Sequence, residues 1–501
     1  MAQRLDAALW KQLLQHGAQQ QQQGLQAQVR AMVVRAILDG LLPPHTPLPS
    51  SRELSQALGV ARNTVVLAYQ QLADEGYVQA RQRSGYFVSP DITAGRVRAE
   101  PGAAPASPEP ASARRPDWPS RFKQHPSALR SIVKPADWQR YPYPFLYGQF
   151  DAALFPTADW RECVIKTLSV VDIRDWGPDQ IMRDDPRLVQ QICSRVLPRR
   201  GVWAAPEEVV VTVGAQHALY LLADLLMREG SRVAMEDPGY PDARNIFASR
   251  TGMLRPVPVD EAGLPVEAAL AGCDYIYTTP SHQCPTTVTM PLHRRQALLR
   301  MAQEHDFVII EDDYESENRF DGDPFPALKS LDREDRVIYI GSLSKSVAPG
   351  LRMGYVVGPA ELIAELRALR RLELRHPSAL VQRAFALFLS LGHHDSLLRR
   401  QAAAWRDRAA AVLSALAQHA PRCRVVPVSG GSSCWVQLPD GMDGGELAAR
   451  ARERGVLIEP GEVFFMTEPA PRHFVRIGWS AIPLPAIEPG IATLGELIRQ
   501  M

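Results

Sequence analysis

Between residues 90 and 119 the chain is rich in proline, alanine, serine and glutamate and almost bare of large apolar side chains. A stretch of that composition cannot bury enough surface to offset the entropy of ordering it, so it reads as a linker. The chain must therefore fold in two pieces, a module at 1–90 and a body at 121–501, joined flexibly across 91–120. The second piece has ample material for a large core.

Composition narrows the class. A formal net charge of +1 gives no global attraction for nucleic acid, so any such role rests on the mild basic excess of the first hundred residues. The six cysteines are scattered without C-x-x-C spacing, which argues against a disulfide framework or a zinc site and fits a reducing compartment. The N-terminus lacks an apolar signal core, and no apolar run is long enough to span a bilayer. The expectation is a cytoplasmic protein without a metal. The glutamine tract at 19–23 reads as a loop or a helix extension.

The body alternates apolar strand candidates (209–213, 232–235, 275–278, 307–310, 337–340) with helical patterns such as 216–227. That order predicts an α/β fold with a largely parallel sheet covered by helices. Helical stretches at 361–374 and 393–419, then short strands near 434–438 and 473–477, predict a smaller α+β subdomain mainly over 360–501.

Several strand ends carry chemistry. Lys345 lies among small residues just after strand 337–340; a partly shielded lysine amine can lose its proton and attack an aldehyde, which is how pyridoxal phosphate is held. Alone it could equally be a solvated loop lysine. Strand 307–310 runs into Glu311, Asp312, Asp313 and Tyr314. A carboxylate at the carboxyl end of a parallel strand points into the ligand crevice and would keep a pyridine nitrogen protonated, while Tyr314 could donate to the ring oxygen. A helix cap or a metal site is the alternative, weakened by the lack of nearby histidines.

Gly214, Ala215 and Gln216 join a strand to a helix start, a place where backbone N–H groups hold phosphate. Tyr240, in the turn after Pro238 and Gly239, can stack on a pyridine ring or simply pack. Arg352, seven residues past Lys345, suits a phosphate dianion. Arg476 sits amid apolar strand residues, where a charge is costly without an anion; a substrate carboxylate is a natural candidate.

In the module, a helix over 25–38 stops at Asp39 and Gly40. Ser50 or Ser51 can cap a short helix reaching Leu58, Gly59 turns the chain, and a second helix runs from about Arg62 to Gly76. This is a helix-turn-helix, followed by a hairpin around Arg81, Gln82, Arg83 and Ser84 that forms a basic wing. Arg62, Asn63 and Thr64 at the start of the second helix would face base edges or phosphates, while Arg52, Arg81 and Arg83 would fix register on phosphates. Any one arginine alone could be an ordinary solvated charge.

With these motifs in order, the body resembles the fold-type-I aminotransferase family over about 145–500, through V-T-V-G-A-Q-H-A-L, E-D-P-G-Y-P, T-P-S-H-Q-C-P-T, I-E-D-D-Y and S-L-S-K-S-V-A-P-G-L-R. The module resembles the GntR-type winged helix-turn-helix, and together the chain is similar to the MocR/GabR family of bacterial transcription regulators. The resemblance implies pyridoxal 5'-phosphate on Lys345, Asp312 at the ring nitrogen, Tyr314 at the ring oxygen, Tyr240 as stacking partner and Arg476 as carboxylate clamp. His282 or Gln283 would lie on the ring-oxygen side. It further implies a double-stranded DNA operator with two half-sites, a small amino compound as effector through an external aldimine, and a head-to-tail homodimer. An aminotransferase with an appended DNA-binding domain is the other reading, since every residue needed for turnover is present.

Three places depart from the family pattern. Pro285, Thr286 and Thr287 lack the usual glycine, Gly431 is followed by Ser432 and Ser433 where relatives often carry histidine, and His393 with His394 reads as an exposed helix start. All are expected near the effector pocket, where they would bear on specificity.

Overall fold

The computed structural model describes residues 7–18, 24–81, 84–93, 116–315, 320 and 325–501. The glutamine tract, most of the expected linker and Arg83 lie outside these residues. Contacts divide the chain into two compact units, Met1–Ser120 and Arg121–Met501.

The first unit packs α1 (Ala7–Ala18), α2 (Leu25–Leu38), α3 (Ser51–Leu58) and α4 (Arg62–Asp74) beside a hairpin of β1 (Val78–Arg81) and β2 (Gly85–Val88). Val65, Ala68, Tyr69 and Leu72 form one helical stripe on α4, and they meet Val29, Val33 and Leu54 in a single core. Helix α1 was not foreseen. Its short apolar pattern is held by Trp10, 2% exposed against that core. Ser50, not Ser51, caps α3: its Oγ accepts from the Glu53 N–H while Glu53 accepts from the Ser50 N–H, a capping box. Gly59 closes the helix in the left-handed conformation, φ 70°.

In the second unit β3 (Tyr143–Pro144) and helices α5 (Thr157–Thr167), α6 (Val170–Trp176) and α7 (Pro186–Gln191) precede the main sheet. That sheet comprises β4 (Val209–Thr212), β5 (Val233–Asp237), β6 (Leu254–Pro258), β7 (Tyr275–Thr278), β8 (Val308–Asp313), β9 (Val337–Ser342) and β10 (Gly354–Val357), in the spatial order β4-β10-β9-β8-β7-β5-β6. Strands β5 to β9 are parallel; β10 runs antiparallel to both β9 and β4.

Neighbouring residues face opposite layers, as the two-residue period requires. Ile310 and Ile338 pack under α8 (Ala215–Leu226), α9 (Pro241–Ala248) and later α11, whereas Ile309 and Val337 pack with α10 (Leu292–His305). Sequence patterning indicated five of the strands. The edge strand β6 carries Pro256 and Pro258 and mostly exposed side chains, so it shows no apolar run.

Helices α11 (Ala360–Leu374) and α12 (Ala379–Ser390) pack with the large layer through Ile363, Leu366, Phe385 and Phe388, so the separate core of the small subdomain gathers mainly from α13 (His393–His419) onward, joined by Phe145 and Phe320. There β11 (Arg424–Val425), β12 (Ser433–Gln437), β14 (Glu459–Pro460) and β15 (Phe474–Gly478) form an antiparallel sheet against α13, α14 (Gly444–Glu453) and α15 (Leu484–Gln500) around Trp479. The short strand β13 (Val456–Leu457) pairs with β3. This pairing draws the segment after Pro144 toward the small subdomain and delivers Tyr147 to the site. Among the described residues no helix is long and apolar enough to cross a membrane.

Candidate functional site

The parallel strands end at one crevice, and a cavity of ≈ 230 Å³ opens there. It brings together seven residues singled out from sequence: Ala215, Gln216, Tyr240, Asp312, Tyr314, Lys345 and Arg476. Ile132, Lys134, Tyr147, Asp242 and Cys284 complete the wall.

Asp312 ends β8 at the cavity. Its Oδ2 accepts from the Tyr277 hydroxyl at 2.8 Å, and its buried Oδ1 has no hydrogen-bond partner among the described residues. Burial raises its carboxyl to about 6, against the lowering effect of the Tyr277 hydrogen bond. The free oxygen is thus matched to a cationic N–H donor.

Lys345 follows β9. Its side chain is exposed along the cavity wall while the protein closes around it, and Nζ donates to Tyr147 Oη at 2.9 Å. Desolvation pulls its ammonium down to about 8, although Glu315 works in the other direction. About a tenth of such a lysine is free amine at pH 7, far more than for an ordinary lysine.

Gly214 caps α8 with φ 81° and no side chain, and a Cβ there would stand 3.0 Å from Arg352 Nη2. Glycine is therefore required both for the left-handed backbone and for the approach of Arg352, which donates to the Val213 carbonyl at 3.2 Å. Arg352 is exposed at this helix start and does not line the cavity. Uncapped N–H groups beside a guanidinium make this helix start electropositive. Tyr240 lines the cavity and donates to Asp242 Oδ2 at 3.2 Å, an oxygen that also accepts from Gln216.

Arg476 is 2% exposed on β15. The charge left without an anion by sequence reasoning has one inside the protein: Glu459, its cross-strand partner on β14, accepts from Nε at 2.6 Å. Burial opposes the guanidinium charge, but Glu459 more than offsets it. Arg476 Nη2 stays buried without a hydrogen-bond partner among the described residues, and Lys134 Nζ lies 3.3 Å from the other Glu459 oxygen. Two cations sharing one carboxylate leave this end of the cavity net positive.

Of His282 and Gln283, neither lines the cavity. Gln283 is consumed by its own loop, donating to Glu236, the Pro238 carbonyl and the Cys284 carbonyl while accepting from Thr286. His282 lies behind Tyr314 with Nε2 3.4 Å from Glu315, and Cys284 takes the wall position. His394 is not exposed as expected; it is 1% exposed, with Nε2 2.9 Å from Ser346 Oγ beside Lys345. Thr287, where a glycine was missed, keeps the left-handed turn with φ 68°. Ser432 donates to Glu315 at 2.6 Å.

On the first unit Arg52, Arg62 and Asn63 are exposed and Thr64 is half-buried at the start of α4. Arg81 is exposed on the wing, its guanidinium 4.4 Å from the Phe87 ring centre.

Two family models match the chain: bacterial regulatory proteins of the gntR family at residues 25–88, and aminotransferase class I and II at residues 181–490. The HTH-type transcriptional regulator TauR of Rhodobacter capsulatus is 44% identical over 95% of this chain and 97% of its own length. The probable rhizopine catabolism regulatory protein MocR of Rhizobium meliloti is 31% identical over 91% of this chain and 90% of its own. Among solved structures, the kynurenine aminotransferase of Pyrococcus horikoshii superposes with a TM-score of 0.69 at 25% identity, covering 76% of this chain and 98% of that one. The α-aminoadipate aminotransferase LysN of Thermus thermophilus gives 0.68 at 28% identity, with the same coverage of each chain.

Proposed function

The chain belongs to the MocR-type transcription regulators, in which a GntR-type reader precedes a fold-type-I aminotransferase-like body, and from that membership we propose that it senses an amino compound through Lys345 and pyridoxal phosphate. One observation carries the reading: the amine of Lys345 borders the same cavity as two buried polar atoms without partners, Asp312 Oδ1 and Arg476 Nη2. The residues fit the cofactor. Asp312 would hold the ring nitrogen, Tyr314 the ring oxygen, Tyr240 a ring face, and the N–H groups from Gly214 to Gln216 with Arg352 the phosphate. When bound, pyridoxal phosphate supplies an aldehyde that primary amines take up reversibly.

The remaining work falls to the protein's own side chains. Tyr147 holds the lysine amine when it is free, and Arg476 with Lys134 orients an effector carboxylate. An effector that takes the lysine's place biases the body between two arrangements, and operator affinity changes by the difference in its affinity for them. The reader would engage double-stranded DNA through Arg62, Asn63 and Thr64, with Arg52 and Arg81 on phosphates. A homodimer, head-to-tail as in the family, would supply two readers for two half-sites. Ile165, Leu168, Val170 and Val171, each more than half exposed along α5 and α6, support self-association.

Titration of the purified protein with amino acids and related amines, following cofactor absorption and operator binding together, tests this reading. An amine that shifts the spectrum should shift operator affinity, and Lys345→Ala should remove both responses. Conversion of amines to keto products with operator affinity unmoved would establish an enzyme with an appended reader instead.

A further inference from the structure

Glu315 lies just past β8, 8% exposed, and stands outside the cofactor cavity. Ser432 donates to its Oε1 at 2.6 Å, and among the described residues its Oε2 has no hydrogen-bond partner. His282 Nε2 is 3.4 Å from that oxygen, but burial holds the imidazole below its ordinary value, so at neutral pH it does not cancel the carboxylate. The added Cβ of an alanine at Gly431 would stand 2.4 Å from His282 Cε1, so the chain is closed tightly over this pair.

Two small cavities, of ≈ 20 and ≈ 30 Å³, flank Lys345, and Glu315 lines both. Tyr147 lines the larger of these cavities together with both residues, its hydroxyl accepts from Lys345, and the Glu315 charge acts on that hydroxyl. A phenol that accepts from an ammonium keeps its own hydrogen for a second partner. The other charged and titratable groups around Lys345 are Asp312, Lys134, Arg476, Cys284, His282 and Tyr314, with Asp313, Arg200, Tyr339 and Tyr355 across one small cavity, where Arg200 Nε pairs with Asp313 at 2.8 Å, and Asp151 across the other. Lys134 and Arg476 oppose its charge.

We propose that Glu315, acting through the Tyr147 hydroxyl, is the counter-ion that stores Lys345 as an ammonium once its amine is free, and so sets how readily an amine effector displaces it. The proton count closes without another reactant: the effector arrives as an ammonium, Lys345 leaves as one, and the charge moves to the position Glu315 holds. Glu315 is thus a positioning residue. Its role in displacement rests on the Schiff-base function of Lys345, but its effect on the free lysine does not.

Trace acetylation of the full-length, cofactor-stripped chain with acetic anhydride across pH 5–10, read by peptide mass spectrometry, reports the titration of Lys345 directly. Wild type should inflect near 8. Glu315→Gln should lower the inflection by about one pH unit or more, since a nearby anion is lost, and Glu315→Asp should restore most of it. In the cofactor-loaded protein at pH 7, Glu315→Gln should raise the amine concentration for half-displacement about 5-fold, because a one-unit drop from about 8 leaves only half of the released lysine protonated at that pH. Tyr147→Phe should move both readouts in the same direction, less far. A folded Glu315→Gln variant with its Lys345 inflection unmoved or raised would overturn the proposal. A wild-type protein whose spectrum answers to no amine would overturn the sensing function, while the acetylation profile would still decide the role of Glu315.

Discussion

Glu459→Gln removes the anion opposite Arg476 while keeping the shape of the side chain. Both residues are 2% exposed, 2.6 Å apart, and paired across β14 and β15. Removing one partner of a buried ion pair commonly costs about 3–5 kcal/mol, because the remaining charge is stranded. Here the glutamine carbonyl can still accept from Nε, and the Tyr147 and Phe464 rings lie 4.3 and 4.6 Å from the guanidinium carbon. The lower end, about 3 kcal/mol, is expected. Spread over the roughly 380 residues of the body, that is a fall of about 4 °C in Tm. The same substitution leaves Arg476 without an internal competitor for anions. A carboxylate-bearing effector should therefore bind more tightly and return part of the lost stability at saturation. Thermal unfolding of wild type and variant across an effector titration measures both effects. A Tm within about 1 °C of wild type, or weaker carboxylate binding, would refute the pairing argument.

Asp312 gives a pH-dependent test. Its folded value of about 6 lies above the ordinary 3.8, so the folded state holds its proton more tightly; the stability this confers is full below 3.8 and lost as pH climbs through 6. Asp312→Asn should stabilise the cofactor-free protein at pH 7 by about 3 kcal/mol and flatten its stability between those values, while weakening cofactor retention. Equal unfolding of parent and variant at pH 7 would contradict this. Thr287→Gly should stabilise the body by about 1 kcal/mol, since it relieves a left-handed β-branched residue and a buried hydroxyl without a partner, measured by chemical denaturation. Arg62→Ala should abolish specific operator binding and leave the cofactor spectrum intact; unchanged affinity in a gel-shift titration would show the wrong residue faces DNA.

The residues legible in the sequence share one property: local pattern marks them. Lys345, Asp312 and Gly214 sit at the ends of apolar runs, and strand ends are where an α/β sheet keeps its ligands. Arg476 was visible because a charge interrupts a strand, yet Glu459 was not, because cross-strand register cannot be read from one strand. Lys134 and Tyr147 come from a stretch with little regular structure, brought to the cavity by the β3–β13 pairing some three hundred residues apart in sequence. His394 looked like an exposed helix start because its partner, Ser346, lies 48 residues earlier, beyond the reach of a helical pattern. Helix α1 was missed because its few apolar residues acquire a face only against the core around Trp10.

The two helices of the reader begin differently. α3 closes its own first turn with Ser50 and Glu53, whereas α4 starts at Ala61, whose side chain accepts nothing. Thr64 N–H turns back to the Ala61 carbonyl at 3.0 Å, which leaves the first N–H groups of α4, on exposed Arg62 and Asn63, without a side-chain cap. A DNA phosphate seated there would do for α4 what Ser50 does for α3. The reader would then be finished by its own ligand: part of the affinity for any duplex would come from completing a helix, and the choice among sequences would be left to the side chains proposed to face bases, Arg62, Asn63 and Thr64. Slower amide exchange at the first turn of α4, on operator and on unrelated DNA alike, would be the trace of that division.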